Sequence, residues 1–210
     1  GIGAAIVRKY SKQNFHLAII DSQPRAEPPN AVPELDYLEV DLSDLETFNR
    51  LSFDNLVSKF GAETVTLVNN VSIRTNSSFL SESTDDWDRS LTVSLSAAFF
   101  LAQKVAKATQ QFGSNLNIVN ISSILSEYVG PHSASYGVAK SGLEYLTKYF
   151  AVQGTPLGIN LKSVGIAPGM ILQNRNAERY HSESNAEWRQ IVDAAHPGQS
   201  FATEDELANF

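Results

Sequence analysis

The chain has 210 residues, enough for one sizeable α/β domain, and its 42% hydrophobic and 19% charged residues are typical of a globular protein. The formal net charge of −7 argues against nucleic acid as the main partner, because binding phosphates requires a basic surface. The absence of cysteine excludes disulfides, thiolate metal sites and cysteine nucleophiles, and no apolar run is long enough to cross a bilayer. We therefore expect a cytoplasmic protein that binds neither nucleic acid nor membrane.

Apolar runs of strand length alternate with longer helical patterns along the chain. The runs are rich in Val, Ile and Leu, as is typical of buried parallel strands. Strands are predicted at HLAII (16–20), DYLEV (36–40), TVTLVN (64–69), NLNIVNI (115–121) and INLKSVG (159–165). Helices are predicted at 3–12, 44–60, 85–111 and 134–152, with shorter pieces after 174. This alternation predicts a doubly wound parallel sheet flanked by helices.

Two segments depart from the alternation. DSQPRAEPPNAVP (21–33) is rich in proline and predicts an irregular link in place of a fuller helix. Residues 170–200 are polar and predict a mobile lid over a substrate, within a single domain that spans 1–210.

A tyrosine and a lysine lie four residues apart in SASYGVAKSGLEYL (133–146). On a helix, Tyr136 and Lys140 would share a face. A free tyrosine, with a pKa of about 10, exchanges protons poorly at neutral pH, and a cation within a few ångströms favours the phenolate. The pair is therefore a candidate general acid or base. The same spacing also describes a packed ring beside a solvated amine.

Paired serines end the predicted strand NLNIVNI. In open α/β sheets, ligands bind beyond the carboxyl ends of the strands. The hydroxyl of Ser123 is therefore a candidate to hold a carbonyl oxygen while Tyr136 delivers a proton. Alternatively, Ser122 and Ser123 cap a turn.

Further polar or turn-forming residues end the other strands. Asn69 ends TVTLVN, and Pro168-Gly169 follows INLKSVG, where it would let backbone approach a flat ring. Asp21 and Asp41 follow the first two strands. An acid after the second strand of a dinucleotide-binding fold binds the adenosine ribose hydroxyls, although turn aspartates are equally common.

The motifs together resemble a known family. GIG, LVNNVS, NISS, YGVAK and IAPG stand in the order and spacing of the short-chain dehydrogenase/reductases, along essentially the whole chain. The resemblance implies a Rossmann fold and hydride transfer between NAD, rather than NADP, and a small carbonyl or alcohol substrate. It also implies a strand ahead of Gly1 and another after Phe210, so we expect this sequence to belong to a longer chain.

The resemblance assigns roles to individual residues. Tyr136 is the catalytic acid or base, Lys140 favours its phenolate and binds the nicotinamide ribose, and Ser123 stabilises the reacting oxygen. Asp21 binds the adenosine ribose and would repel the 2′-phosphate of NADP. The other implied cofactor contacts are Tyr136 itself and Gly1, Ile2, Gly3, Asp41, Leu42, Asn69, Pro168, Gly169 and Ile171.

Three positions depart from the family pattern. Val71 and Ser72 replace an Ala-Gly pair near the cofactor. Ser94 stands where the family often has an asparagine whose backbone holds a water of the proton relay, so Ser94 is included in the catalytic set. Gln173 replaces a threonine that commonly contacts the cofactor amide.

These departures keep a rival hypothesis open, namely a non-catalytic relative that binds a nucleotide or a partner protein. A second rival is a sugar-nucleotide epimerase or dehydratase, which also uses a tyrosine–lysine pair.

Two helical patterns, AAFFLAQKVAKA (97–108) and GLEYLTKYFAV (142–152), are more apolar than one core face requires. The corresponding helices pair across a two-fold axis in this family, so we expect a homodimer or homotetramer. Other side chains border the expected substrate pocket or are ordinary surface residues: Glu127, Tyr128, His132, Arg175 and Arg179. The remaining histidines are too scattered to predict a metal site.

Overall fold

The computed structural model describes residues 1–13, 15–24, 35–61, 63–130, 132–171, 180–195 and 201–209. Its strands are β1 (Leu17–Asp21), β2 (Leu35–Glu39), β3 (Thr64–Asn69), β4 (Asn115–Ile121) and β5 (Leu161–Ile166). Its α-helices are α1 (Ile2–Tyr10), α2 (Leu45–Arg50), α3 (Asp54–Phe60), α4 (Thr84–Leu91), α5 (Ala97–Phe112), α6 (Ala134–Ala151), α7 (Gly154–Leu157), α8 (Ala186–Ala195) and α9 (Glu204–Leu207). None of the helices in these ranges has the length and apolar content needed to span a membrane.

The larger of two compact units comprises residues 18–167 and carries the sheets. Strands β3, β4 and β5 form a parallel sheet in that order, and β1 pairs with β2 in a second sheet. The predicted doubly wound architecture is confirmed, since parallel strands alternate with flanking helices. Of the predicted link at 21–33, residues 25–33 lie outside the described part.

One apolar core holds the larger unit together. Leu116 and Ile118 of β4 are almost completely buried against Val105 of α5, Phe150 of α6 and Phe48 of α2. From Ile118 to Ile121 every residue of β4 is buried, as is typical of a parallel strand covered on both faces. The core therefore joins β4 to helices that precede it along the chain, α2 and α5, and to α6, which follows it.

The single helix predicted at 44–60 is wrong, because the chain forms two helices there. Asp44 caps α2 by accepting from the amides of Glu46 and Thr47, and Leu51 then adopts an extended backbone. The ammonium group of Lys104 binds the carbonyls of Asn49 and Leu51 at 3.1 and 3.0 Å. A distant lysine thus satisfies carbonyls that a continuous helix would have used internally.

The long helix predicted at 85–111 also contains an irregularity. Residues Thr92–Ser96, between α4 and α5, form a π-helical segment in which the amide of Ala97 bonds the carbonyl of Thr92, five residues back. Such segments widen a helix locally and occur frequently at functional sites. Here the segment contains Ser94.

The smaller unit comprises residues 1–17 and 168–210. Within it, Arg8 of α1 forms an ion pair with Asp205 of α9 at 2.8 Å, and Ile171 forms a parallel bridge with Ala202. Of the predicted lid at 170–200, the structure describes 170–171 and 180–195, where a short 3₁₀ turn leads into α8.

Candidate active site

Hydrogen bonds join the carboxyl end of β4 to the first turns of α6. The Lys140 ammonium group donates to the carbonyl of Ile121 at 2.6 Å, and the hydroxyl of Ser122 lies 3.4 Å from the carbonyl of Lys140. Farther along, the hydroxyl of Ser141 donates to the carbonyl of Ser126 at 2.7 Å. The strand end that carries Ser123 and the helix that carries Tyr136 and Lys140 are thus held side by side.

Lys140 is almost completely buried, with 1% of its surface exposed. Burial lowers its pKa to about 8 from the usual value near 10.5, because removal from water disfavours the charged form. The carboxylate of Glu144, one turn farther along α6, opposes this shift. A buried cation without a paired carboxylate in direct contact is costly, which favours a functional role over a packing role.

Tyr136 is half-buried, and two cations lie over its ring. The Lys140 nitrogen and the guanidinium carbon of Arg74 are each 5.6 Å from the ring centroid. The predicted juxtaposition of Tyr136 and Lys140 on one helix face is therefore observed. Positive charge beside a phenol favours the phenolate and so suits a group that must exchange a proton.

Ser123 is buried and also caps a turn. Its hydroxyl oxygen accepts from the amide of Leu125 at 3.2 Å at the start of the 3₁₀ turn Ile124–Ser126. This bond uses an oxygen lone pair, so the hydroxyl proton can still be donated to a substrate oxygen. The capping and substrate-binding alternatives for Ser123 are thus compatible.

Ser94 is buried in the π-helical segment, and its hydroxyl oxygen accepts from the amide of Ile73 at 2.9 Å. The neighbouring Ser90 donates to the carbonyl of the same residue at 3.2 Å. Both serines therefore fix the loop that follows β3. This is a structural task for the Ser94 side chain that the sequence did not predict, and its place in the catalytic set stays a prediction.

Asn69, at the carboxyl end of β3, belongs to a buried polar chain. Its amide nitrogen donates to Asn120 of β4 at 2.8 Å, and Asn120 donates in turn to Thr147 of α6 at 2.8 Å. The side-chain oxygen of Asn69 is buried and has no hydrogen-bond partner in the described ranges. Asn69 is thus held at the carboxyl edge of the sheet by Asn120, and its contact with a cofactor stays a prediction.

The two predicted acidic residues differ in their environments. The Asp21 side chain is exposed at the end of β1 and accepts from the amide of Gln23 at 3.0 Å. Asp41 accepts from both the amide and the hydroxyl of Ser43, and these bonds hold the pKa of Asp41 below its usual value. Leu42 is buried in the core, so a contact of its side chain with adenine stays a prediction.

The other predicted cofactor residues belong to the smaller unit. Gly1, Ile2 and Gly3 begin α1, Pro168 and Gly169 follow β5 along the chain, and Ile171 is buried at its bridge with Ala202. Their role at a cofactor stays a prediction. Gln173, Arg175 and Arg179 lie outside the described residues, whereas Val71, Ser72, Glu127, Tyr128 and His132 are exposed.

Sequence reasoning missed two charged residues near Tyr136. Arg74 is the only basic residue between Lys59 and Arg89, which is a weak signal. Glu82 accepts from the hydroxyls of Ser135 and Thr75, and these bonds outweigh burial and lower the pKa of Glu82. Ser135 lies in the first turn of α6, where the helix dipole favours a carboxylate. Glu82 therefore anchors the start of the helix that carries the candidate tyrosine.

The parallel sheet, the polar residues at its carboxyl edge and the tyrosine–lysine pair define a Rossmann-fold protein. A family model described as Enoyl-(Acyl carrier protein) reductase matches residues 1–210. The chain belongs to the short-chain dehydrogenase/reductase family, as its motifs predict.

Two relatives of this chain are named as oxidoreductases. "Probable galactose dehydrogenase GalD" of Rhizobium meliloti (strain 1021) is 32% identical over 194 residues, which cover 88% of this chain and 73% of that protein. The 2-dehydro-3-deoxy-D-gluconate 5-dehydrogenase of Escherichia coli (strain K12) is 31% identical over 141 residues, which cover 67% of this chain and 54% of that protein. The expected oxidoreductase class is thereby confirmed.

Solved structures agree on the fold. ElxO, solved with NADP bound, is 26% identical with a TM-score of 0.84, covering 99% of this chain and 84% of that one. A 4-hydroxyisoleucine dehydrogenase, solved with NADH, has a TM-score of 0.83 over the same shares and, at 24% identity, supports the fold alone. Because one neighbour binds NADP and the other NADH, the comparisons leave both cofactors open for this chain.

Proposed function

We propose that this protein oxidises an alcohol, or reduces the matching carbonyl, in a small polyhydroxylated substrate with NAD as the cofactor. The observation that carries the proposal is the buried Lys140 held at the carboxyl end of β4, with its nitrogen over the Tyr136 ring. The relatives named for galactose, glucose and 2-dehydro-3-deoxy-D-gluconate favour a sugar or sugar acid as the substrate class.

The bound nicotinamide would accept the hydride from the alcohol carbon, or return it in the reverse direction. During oxidation, the Ser123 hydroxyl donates a hydrogen bond to the substrate oxygen and holds it beside the phenol. Tyr136, as the phenolate, takes the proton from that oxygen as the carbonyl forms. Lys140 stabilises the phenolate by its positive charge, so the proton can move at neutral pH.

The residues fit a dinucleotide. Asn69 stands at the carboxyl edge of the sheet, and Asp21 offers an exposed carboxylate at the end of β1 that can accept from ribose hydroxyls. Asp21 does not suit a 2′-phosphate, because an ionised carboxylate only accepts hydrogen bonds and carries a negative charge. The negative charge of Asp21 therefore supports NAD over NADP.

Replacing Asp21 with Asn tests the cofactor preference. The change removes the negative charge while keeping the shape of the side chain. We expect the ratio of NADPH to NADH affinity to rise about tenfold, because the repulsion of the 2′-phosphate is lost. Nicotinamide fluorescence titrations of the wild type and the variant measure both affinities.

Asp88→Asn is the matched control for this experiment, because it removes an equivalent charge from exposed α4. Its NADPH to NADH ratio should equal that of the wild type. An unchanged ratio in Asp21→Asn would contradict the assignment of Asp21 to the adenosine ribose.

The same titration tests the function as a whole. Saturable NADH binding, followed by turnover of a sugar or polyol that disappears in Tyr136→Phe, would support the proposal. The rival, a non-catalytic relative, predicts nucleotide binding without turnover of any alcohol or carbonyl in the panel.

We also propose a homodimer or homotetramer built on α5 and α6. A shallow groove between these helices is lined by Leu95, Ser96, Phe99, Phe100, Gly142, Tyr145 and Leu146. Tyr145 is 69% exposed and Phe100 is 41% exposed, so the apolar face lacks a cover within the described chain. An apolar face of this kind is buried by a second copy in symmetric oligomers.

Light scattering of the wild type should give the mass of a dimer or a tetramer. Tyr145→Glu places a charge in the groove and should shift the mass towards the monomer. Phe79→Glu changes an equally apolar side chain outside α5 and α6 and should leave the mass unchanged. A purely monomeric wild type would contradict the proposed interface.

A further inference from the structure

Arg74 occupies a fixed position beside the candidate proton donor. Ile73, the residue before it, is held by Ser94 through its amide and by Ser90 through its carbonyl. Thr75, the residue after it, accepts a hydrogen bond through its carbonyl from the hydroxyl of Ser133. The backbone on both sides of Arg74 is therefore tied to the helices that carry the candidate site.

The residue that holds Thr75 is itself in an unusual conformation. Ser133 has a φ of +65°, in the left-handed region that non-glycine residues rarely adopt. Its amide donates to the carbonyl of Ser77 at 3.0 Å, so it bonds the loop at two points just before α6 begins. Backbone strain of this kind persists where surrounding contacts enforce it. Here the contacts place the loop of Arg74 next to the start of α6.

The Arg74 side chain is exposed but directed at Tyr136. Its guanidinium carbon is 5.6 Å from the ring centroid, and its Nε lies 3.5 Å from the hydroxyl of Ser133. Across the described part of the chain, no carboxylate forms an ion pair with Arg74, whereas Arg8 and Arg50 each pair with one. The guanidinium group therefore lies over the Tyr136 ring and, in this part of the chain, keeps donors that no carboxylate occupies.

A guanidinium fork binds a planar carboxylate through two parallel hydrogen bonds, which a lysine or a neutral donor does not match. A cation in this position, on a chain with a net charge of −7, also draws an anionic substrate locally towards the phenol. A neutral sugar offers this group no comparable partner. Arg74 beside Tyr136 therefore favours substrates in which one small molecule carries both an oxidisable hydroxyl and a carboxylate.

We propose that Arg74 is a specificity-determining residue that binds the carboxylate of the substrate, so that the enzyme acts on hydroxy acids, such as sugar acids, in preference to neutral polyols. This inference rests on the proposed function of the Tyr136 site. The role of Arg74 is recognition, and the proton and hydride still move as described above.

The test uses pairs of probes that share a carbon skeleton and differ in the carboxylate. D-Gluconate is compared with D-glucitol, and 3-hydroxybutyrate with 1,3-butanediol, each with NAD and the wild-type chain. We expect the acid of at least one pair to be oxidised with a kcat/KM at least tenfold above its neutral partner. In Arg74→Gln this advantage should fall by about ten- to a hundredfold, mainly through a higher KM for the acid, whereas a loss that acts through the phenol lowers turnover of the acid and the neutral partner alike.

Two further variants separate recognition from other roles. Arg74→Lys keeps the charge but loses the fork, so it should restore only part of the acid preference. Arg50→Gln removes an exposed arginine of α2, whose surface ion pair with Glu46 contributes little, and should leave both members of each pair unchanged. An equal loss for the acid and the neutral probe in Arg74→Gln would overturn the proposal and assign Arg74 to the phenol instead.

A binding measurement keeps the test independent of turnover. Calorimetric titration of the NADH-loaded protein with D-gluconate and 3-hydroxybutyrate should show binding that weakens at least tenfold in Arg74→Gln. Turnover of neutral polyols that depends on Tyr136, without acid binding, would overturn the Arg74 proposal and leave the proposed function intact. Acid binding that depends on Arg74, without any turnover, would support Arg74 recognition and contradict the proposed function.

Discussion

Replacing Tyr136 with Phe should lower kcat for any alcohol or carbonyl substrate by about a hundred- to ten-thousandfold, the usual contribution of a positioned acid or base. Only the hydroxyl is lost, so the half-buried ring keeps its place between the neighbouring groups. NADH affinity should change little, because most of the proposed cofactor contacts lie on other residues. Steady-state kinetics and a fluorescence titration on the same sample separate the two effects.

Tyr149→Phe provides the matched control. Tyr149 lies on the same helix, α6, and 40% of its surface is exposed. Removing its hydroxyl should leave kcat within the error of the wild type. If Tyr136→Phe retained most of the activity, a different residue would have to transfer the proton, and the proposed mechanism would be wrong.

Replacing Lys140 with Met has the second largest expected effect. Met fills nearly the same volume in the buried site, so the helix can remain packed, but the cation beside the phenol is lost. We expect kcat/KM to fall by about a hundredfold or more, because the phenolate is no longer stabilised. Lys148→Met, an exposed change near the end of α6, is the control and should leave kcat/KM unchanged.

The lowered pKa of Lys140 gives this prediction a pH signature. Since the pKa is about 8 in the folded protein, Lys140 is charged below that pH and loses its proton as the pH rises through it. The rate advantage of the wild type over Lys140→Met should therefore be largest below about pH 8 and shrink above it. An advantage that stays constant up to pH 10 would contradict a role for the ammonium charge.

The free energy of unfolding should rise over the pH range in which the rate advantage of Lys140 falls. Between about pH 8 and 10.5 the unfolded chain keeps the proton of Lys140 while the folded chain has released it, so the free energy of unfolding rises with pH. The rise attributable to Lys140 is about 3 kcal/mol at most. Urea unfolding at pH 7 and pH 10 measures the change in the free energy of unfolding for the wild type and for Lys140→Met, and the change in the wild type should be the more positive of the two.

The strand and helix positions show how much of the fold the local sequence predicts. Predicted strands 64–69 and 115–121 coincide with β3 and β4, because short segments rich in Val, Ile and Leu and bounded by turn residues are typical of strands. The predicted helix at 44–60 was wrong, and the carbonyls at its break bind Lys104, which is more than fifty residues away. No local sequence pattern predicts that a distant ammonium group will donate hydrogen bonds to two backbone carbonyls.

Some features of the candidate site likewise follow from local sequence, whereas others depend on packing. Residues four apart on a helix share a face, so Tyr136 and Lys140 were predictable as neighbours from their spacing. The burial of Lys140 and its bond to Ile121 were not, because they depend on how α6 packs against the end of β4.

By itself the sequence determined the family, the alternation of strands and helices, and the tyrosine–lysine pair, since these follow from local periodicity and fixed motif spacing. Only the tertiary structure decided that Arg74 lies over the Tyr136 ring and that Glu82 anchors the start of α6. Both placements come from contacts across more than fifty residues of chain. Hydrogen bonds of that reach depend on packing in three dimensions, which residue type and spacing do not specify.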